Sequence, residues 1–189
     1  MNTAQSFTLV PFEPLPNTLA LSITGHIKRE KDTLSITYQL SGDLDSVQLP
    51  SLNISSDRTD RLWEHTCLEF FLTTTYPKQD QDPYWEFNLS PSGSWNVFSL
   101  ASYRQGLQEE TAFTALPFTA KRTPKALQLD ILANLTTVLP AHAHWTLGLS
   151  AVIILKDGTE TFWALTHSTP TADFHSANSF TLTLPQTLS

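Results

Sequence analysis

Apolar residues recur at every second position along this chain, in short segments broken by Pro, Asn, Asp and Gly. "TLALSITGHIK" (18–28) places Leu19, Leu21, Ile23 and Ile27 on one face. After the polar turn "REKD", "TLSITYQL" (33–40) alternates Leu34, Ile36, Tyr38 and Leu40. Period-2 alternation on both sides of a short polar loop predicts a hairpin. The same pattern returns in "TCLEFFLTT" (66–74), "ALQLDILA" (126–133), "HWTLGLSAVII" (144–154), "ETFWALTH" (160–167) and "SFTLTL" (179–184). With the segment at 84–98, nine or ten strands are expected, and only "ASYRQGLQEET" (101–111) suggests a helix. Many short strands between turn signals, with few or no helices, define an all-β chain: an antiparallel β-sandwich, jelly-roll-like. No repeat or linker divides the 189 residues, so one domain over 1–189 is expected.

"YWEFNLSPSGSWNVF" (84–98) carries the most specific register. Reading Pro91-Ser92-Gly93 as a three-residue hairpin loop, with Gly93 left-handed, sets Leu89 opposite Trp95 and Phe87 opposite Val97. One face then holds Trp85, Phe87, Leu89, Trp95 and Val97, and the other Glu86, Asn88, Ser90, Ser94 and Asn96. A one-residue slip would mix the two sets. Strand 66–74 presents Cys67, Glu69 and Phe71 on its second face, with His65 just before it. If the strands are neighbours, His65, Glu69, Glu86, Asn88 and Asn96 share one polar patch. That patch is either the solvated side of an antiparallel sheet or a face that contacts a ligand.

Charge and cysteine content narrow the classes. A formal charge of -7 with only 11 Lys plus Arg, none clustered, argues against a nucleic-acid partner and disfavours an anionic membrane. A single cysteine, Cys67, leaves no intramolecular disulfide. The N-terminus has neither a cationic region nor an apolar run of signal-peptide length, so a cytoplasmic location is expected. The longest apolar run, "AVIIL" (151–155), is too short to span a bilayer.

"RLWEHTCLEFFL" (61–72), "YWEFNLSPSGSWNVF" (84–98), "YRQG" (103–106), "LSAVI" (149–153) and "FWALTHSTPTADFHSANSFTLTL" (162–184) resemble a bacterial group of small stand-alone proteins. These are DOMON-like and related to family 9 carbohydrate-binding modules. The resemblance implies an antiparallel β-sandwich, in agreement with the strand pattern. In the sugar-binding relatives, exposed Trp side chains cover a sugar ring while polar residues read its hydroxyls. Carried over, Trp63 is the expected platform, with Trp163 and Trp145 behind it. The haem-binding relatives use a Met and a His, and the only methionine here is Met1, so haem is not expected.

Other constellations are thinner. His142 and His144 could hold Zn²⁺ or Ni²⁺ but lack a third ligand. A structural Ca²⁺ would draw on Asp57, Asp60, Asp157 and Asp173, though no loop is dense in acids. Glu69 and Glu86 would serve a glycoside hydrolase if their carboxyls stood about 5–5.5 or 6.5–9.5 Å apart. Gly-x-Ser-x-Gly and phosphate-loop motifs are absent, and Cys67 reads as an inert small hydrophobe. The expected binding set is therefore Trp63, His65, Glu69, Glu86, Asn88, Asn96, Arg104, Trp163, Asp173 and His175. A non-enzymatic module for a sugar or similar polyhydroxylated ligand, without cofactor, is the leading expectation. Its alternatives are an intracellular interaction protein with a protein partner, and third a hydrolase using Glu69 and Glu86.

Overall fold

The computed structural model describes residues 4–51, 56–74, 82–139 and 143–185. Within them lie twelve strands: β1 (Gln5–Pro11), β2 (Ser22–Glu30), β3 (Thr33–Ser41), β4 (Cys67–Thr73), β5 (Tyr84–Leu89), β6 (Trp95–Leu100), β7 (Gln108–Glu109), β8 (Phe118–Arg122), β9 (Ala126–Asn134), β10 (Trp145–Ile154), β11 (Glu160–Ala164) and β12 (Leu182–Leu184). The helical turns among the described residues are three short 3₁₀ segments, Leu44–Ser46, Leu62–Glu64 and Ala177–Ser179, and no helix there could cross a membrane.

The strands form an antiparallel β-sandwich. One layer runs β1-β2-β3-β9-β8 and the other β7-β6-β5-β4-β10-β11, with β12 beside the start of β10. The two are joined by β1, which pairs with β2 through Gln5–Leu9 and with β11 through Val10 and Pro11. Alternate side chains of both layers meet in one core, from Ile23, Ile36 and Leu129 on one side to Phe70, Phe87 and Leu149 on the other. Tyr38 crosses it, donating from its buried hydroxyl to the Glu69 carbonyl at 2.7 Å.

The first layer obeys the expected alternation of burial, with polar residues outside all along β3 and, in β9, Gln128, Asp130 and Asn134 outside together with Ala126 and exposed Leu132. The second does not: every residue of β4 and β10 is buried, so its outer face is covered too. The covering comes from the Leu62–Glu64 turn and from aromatic side chains of the segment after β11, Phe174 and Phe180.

The 84–98 register is as expected, with Leu89 opposite Trp95, Phe87 opposite Val97 and Asn88 opposite Asn96. Ser90 N donates to Ser94 O at 2.9 Å, and Gly93 takes φ 105°, so glycine is required there. Elsewhere the sequence misleads. Residues 101–111 form no helix: Arg104 (φ 52°) and Gly106 (φ 70°) are left-handed, and the chain turns sharply into β7. In "REKD", only Lys31 and Asp32 make the turn; Arg29 belongs to β2, is buried, and stacks its guanidinium 3.7 Å from the Trp145 ring centroid. Strands β1, β7 and β8 are additions, too short or too exposed to show a long alternation.

Candidate functional site

The outer face of β4, β5 and β6 is assembled by register. Glu69 pairs with Asn88, Phe71 with Glu86, and Glu86 with Phe98, so acids and aromatics alternate across neighbouring strands. This face is not the solvated side of a sheet: Glu69 is 2% exposed, Glu86 5% and Asn88 0%. Phe71, Tyr84, Phe98, Leu100 and Phe180 form a second apolar cluster over it, with Trp63 and Phe174 against its edge. Between them remains an open cleft of about 360 Å³.

Five expected residues line that cleft: Trp63, Glu69, Glu86, Arg104 and His175. Trp63 stands on the Leu62–Glu64 turn, which is anchored by buried Leu62 and by the Arg61–Glu64 ion pair. Its ring meets Phe98 edge to face at 5.5 Å and stays partly exposed, leaving an apolar wall beside the acids.

The floor is titratable. Asn88 Nδ2 donates to Glu86 Oε1 at 2.8 Å, and His175 Nε2 lies 4.0 Å from Glu86 Oε2. Burial pushes the Glu86 carboxyl up, against the Asn88 hydrogen bond and the Arg104 charge. Burial, then the neighbouring Glu86, pushes Glu69 well above the carboxylate range. The Ser150 hydroxyl donates to Glu69 Oε2 at 3.3 Å, while buried Oε1 has no hydrogen-bond partner. Burial and then Arg104 lower His175 to about 4, so its imidazole is neutral at pH 7. Its Nδ1 shares a hydrogen bond with the Tyr84 hydroxyl at 2.7 Å.

Asp173 does not line the cleft but clamps its edge. It accepts from Tyr103 Oη at 2.7 Å, Arg104 Nη2 at 2.9 Å and the His175 backbone N–H at 3.1 Å. Against the upward push of burial, these donors hold its carboxyl below the ordinary value. Arg104 thus pairs with Asp173, not with Glu86. Asn88 likewise supports from beneath.

The remaining expectations are corrected. Asn96 is held at the far side, accepting from Arg58 Nη1 at 2.6 Å and donating to Glu109 at 3.1 Å. His65 is exposed outside the cleft, at the end of the 3₁₀ turn. Trp163 and Trp145 belong to the inter-sheet core, 2% and 0% exposed, because their strand parity points them inward. Neither can serve as a platform. Parity that sends Trp163 inward sends Phe162 outward, and Phe162 with Phe174 lines the cleft unforeseen.

Glu69 and Glu86 are diagonal across the β4–β5 pair, not directly opposite, a geometry of about 7–8 Å between backbones. The described residues contain no group of three or more His, Cys, Asp or Glu placed to hold a metal ion. Asp60 accepts from Arg61 N and Asp157 from Thr159 N, in separate loops. His142 lies outside the described residues. Cys67 is buried, and burial raises its thiol well above the usual range, as befits an inert side chain.

Solved structures share this fold. A Bacteroides uniformis ATCC 8492 protein proposed to bind carbohydrate superposes with a TM-score of 0.71 at 13% identity, over 97% of this chain and 86% of its own. A family 9 carbohydrate-binding module from Caldicellulosiruptor kristjanssonii, in complex with glucose, gives 0.58 at 7% identity over 97% and 84%. The same family and organism in complex with cellotriose gives 0.55 at 9% over 94% and 80%. At these identities the likeness establishes the fold alone, a β-sandwich over nearly the whole chain. No protein-family model matches the sequence, and no curated protein matches it.

Proposed function

We propose that this chain is a non-enzymatic binding module for a sugar or a similar polyhydroxylated ligand. The carrying observation is the cleft itself: a partly exposed Trp63 wall over a floor of Glu69, Glu86 and His175, with Arg104 at the edge. A ring laid against Trp63 would cover its C–H face with carbon. Its hydroxyls would meet acceptors and donors already oriented by Asn88, Tyr84 and Asp173. That is the mix of apolar wall and few polar anchors typical of small-ligand sites. The structural neighbours in complex with glucose and cellotriose support this reading.

The hydrolase alternative is weaker on geometry. Glu69 is only 2% exposed at the floor of the cleft, with Oε1 buried and without a hydrogen-bond partner, which suits a supporting acid better than one half of a catalytic pair. An interaction protein would present a broad apolar patch, whereas the exposed large hydrophobics described, Val10 on β1, Leu107 before β7 and Leu132 on β9, are separated along the chain. A cytoplasmic location is proposed with this reading, in which the buried thiol of Cys67 needs no oxidising compartment.

The test is tryptophan fluorescence titrated with mono- and oligosaccharides to tens of millimolar, since a millimolar ligand contributes only about 4 kcal/mol. A saturable change absent from Trp63→Ala is expected. A flat response across the panel would overturn the proposal.

A further inference from the structure

Beside the cleft lies a second groove of about 610 Å³, between the Pro-rich segment after β1 and the β10–β11 hairpin. Phe12, Pro14, Leu15 and Leu19 line it from the first segment, Leu155 and Phe162 from the hairpin, and its walls are largely carbon. Phe162 is common to both depressions: partly exposed on β11, it sets its ring edge to face against Phe174 at 6.1 Å. Backbone bonds pin the walls. Phe12 N donates to Phe162 O at 2.8 Å, Asp43 N to Leu19 O at 3.0 Å and Lys156 N to Ser46 O at 2.8 Å. The groove is therefore preformed. Its charged residues are Glu13, Asp45, Asp157 and Glu160 against one cation, Lys156.

We infer that this groove is a second subsite, which takes an uncharged apolar group carried by the sugar: the aryl or short alkyl aglycone of a glycoside. The inference rests on the sugar-binding reading of the cleft. Because Phe162 lines both depressions, a substituent leaving the first cleft past its ring would be directed toward the second. There a further sugar unit would set the hydroxyls that face Phe12, Pro14, Leu15, Leu155 and Phe162 against carbon, which costs free energy without compensating hydrogen bonds. An anionic tail would meet four carboxylates. A phenyl or short alkyl group meets neither penalty and removes apolar surface from water.

Isothermal titration calorimetry of the full chain separates the cases, using matched methyl and phenyl β-glycosides of glucose, galactose, mannose and xylose, plus cellotriose. Whichever sugar binds, its phenyl glycoside is expected to bind roughly tenfold more tightly than its methyl glycoside. Phe12→Ala should erase that gain and leave methyl-glycoside affinity unchanged. Leu15→Gln is the second variant, should Phe12→Ala not fold. Equal affinities for methyl and phenyl glycosides, or a gain that survives both variants, would overturn the subsite and leave the sugar reading standing. So would a Phe12-dependent gain for cellotriose without one for phenyl. Absence of binding by every compound would overturn the sugar reading, and the subsite with it.

Discussion

At the scale of single residues, exposure divides the tryptophans by role. Trp63 keeps part of its ring in solvent and makes one edge-to-face contact, so Trp63→Ala should cost only about 1–2 kcal/mol of stability in denaturant unfolding while removing any ligand response. Global unfolding of that variant would show the ring to be core. His175 makes a pH prediction. Its folded value of about 4 lies below the ordinary 6.5, so the unfolded chain takes up the proton first as pH falls. Stability contributed at neutral pH is thus lost between about pH 6.5 and 4, amounting to roughly 3 kcal/mol. Glu69 and Glu86, raised in the folded state, act in the opposite sense, so the effect is best read as a difference. The stability advantage of wild type over His175→Gln should shrink as pH drops through that window. A constant difference would mean that His175 is not held neutral by its surroundings.

At the scale of elements, the β2–β3 hairpin shows how far alternation carries. Its inward positions were legible because Ile23, Ile27, Leu34, Ile36, Tyr38 and Leu40 repeat with the pleat. Gly25, in the same inward row, was not. The rings of Phe7 and Tyr38 meet edge to face at 5.2 Å over the space it leaves. A Cβ there would stand 2.0 Å from Thr37 O and 2.4 Å from Phe7 Cζ. Gly25→Ala should therefore cost about 3 kcal/mol, read as a lower denaturation midpoint, because both β3 and β1 must shift. Tolerance of alanine would mean that the three strands can slide apart cheaply. Residues 101–111 teach the converse lesson. Apolar and polar residues there mimic a helical spacing, but Arg104 is left-handed and its guanidinium is tied to Asp173, sixty-nine positions away. No local signal carries that tie.

For the whole molecule, the asymmetry of the two layers matters most. One is solvated outside; the other is buried on both faces, its second cover being the loops that make the cleft. A ligand bound there, and not by the unfolded chain, should stabilise the entire fold. At ten times its dissociation constant the melting temperature should rise by about 3–5 °C, measured by scanning calorimetry. Trp63→Ala should abolish the rise. A ligand that changes fluorescence without raising the melting temperature would bind folded and unfolded chain alike, which this cleft cannot do.

The alternating strands and the 84–98 register were legible in the residue pattern, and with them that Glu86, Asn88 and Asn96 share a face; Glu69 joins them only through the pairing of β4 with β5. Alternation and register follow from the two-residue period of the pleat, a local property. The tertiary structure alone decided that this face is buried, that Trp163 and Trp145 point into the core, and that Asp173 clamps while His175 and Arg104 line the cleft. Burial and long-range hydrogen bonds depend on which distant segment covers a face, and periodicity holds no record of that.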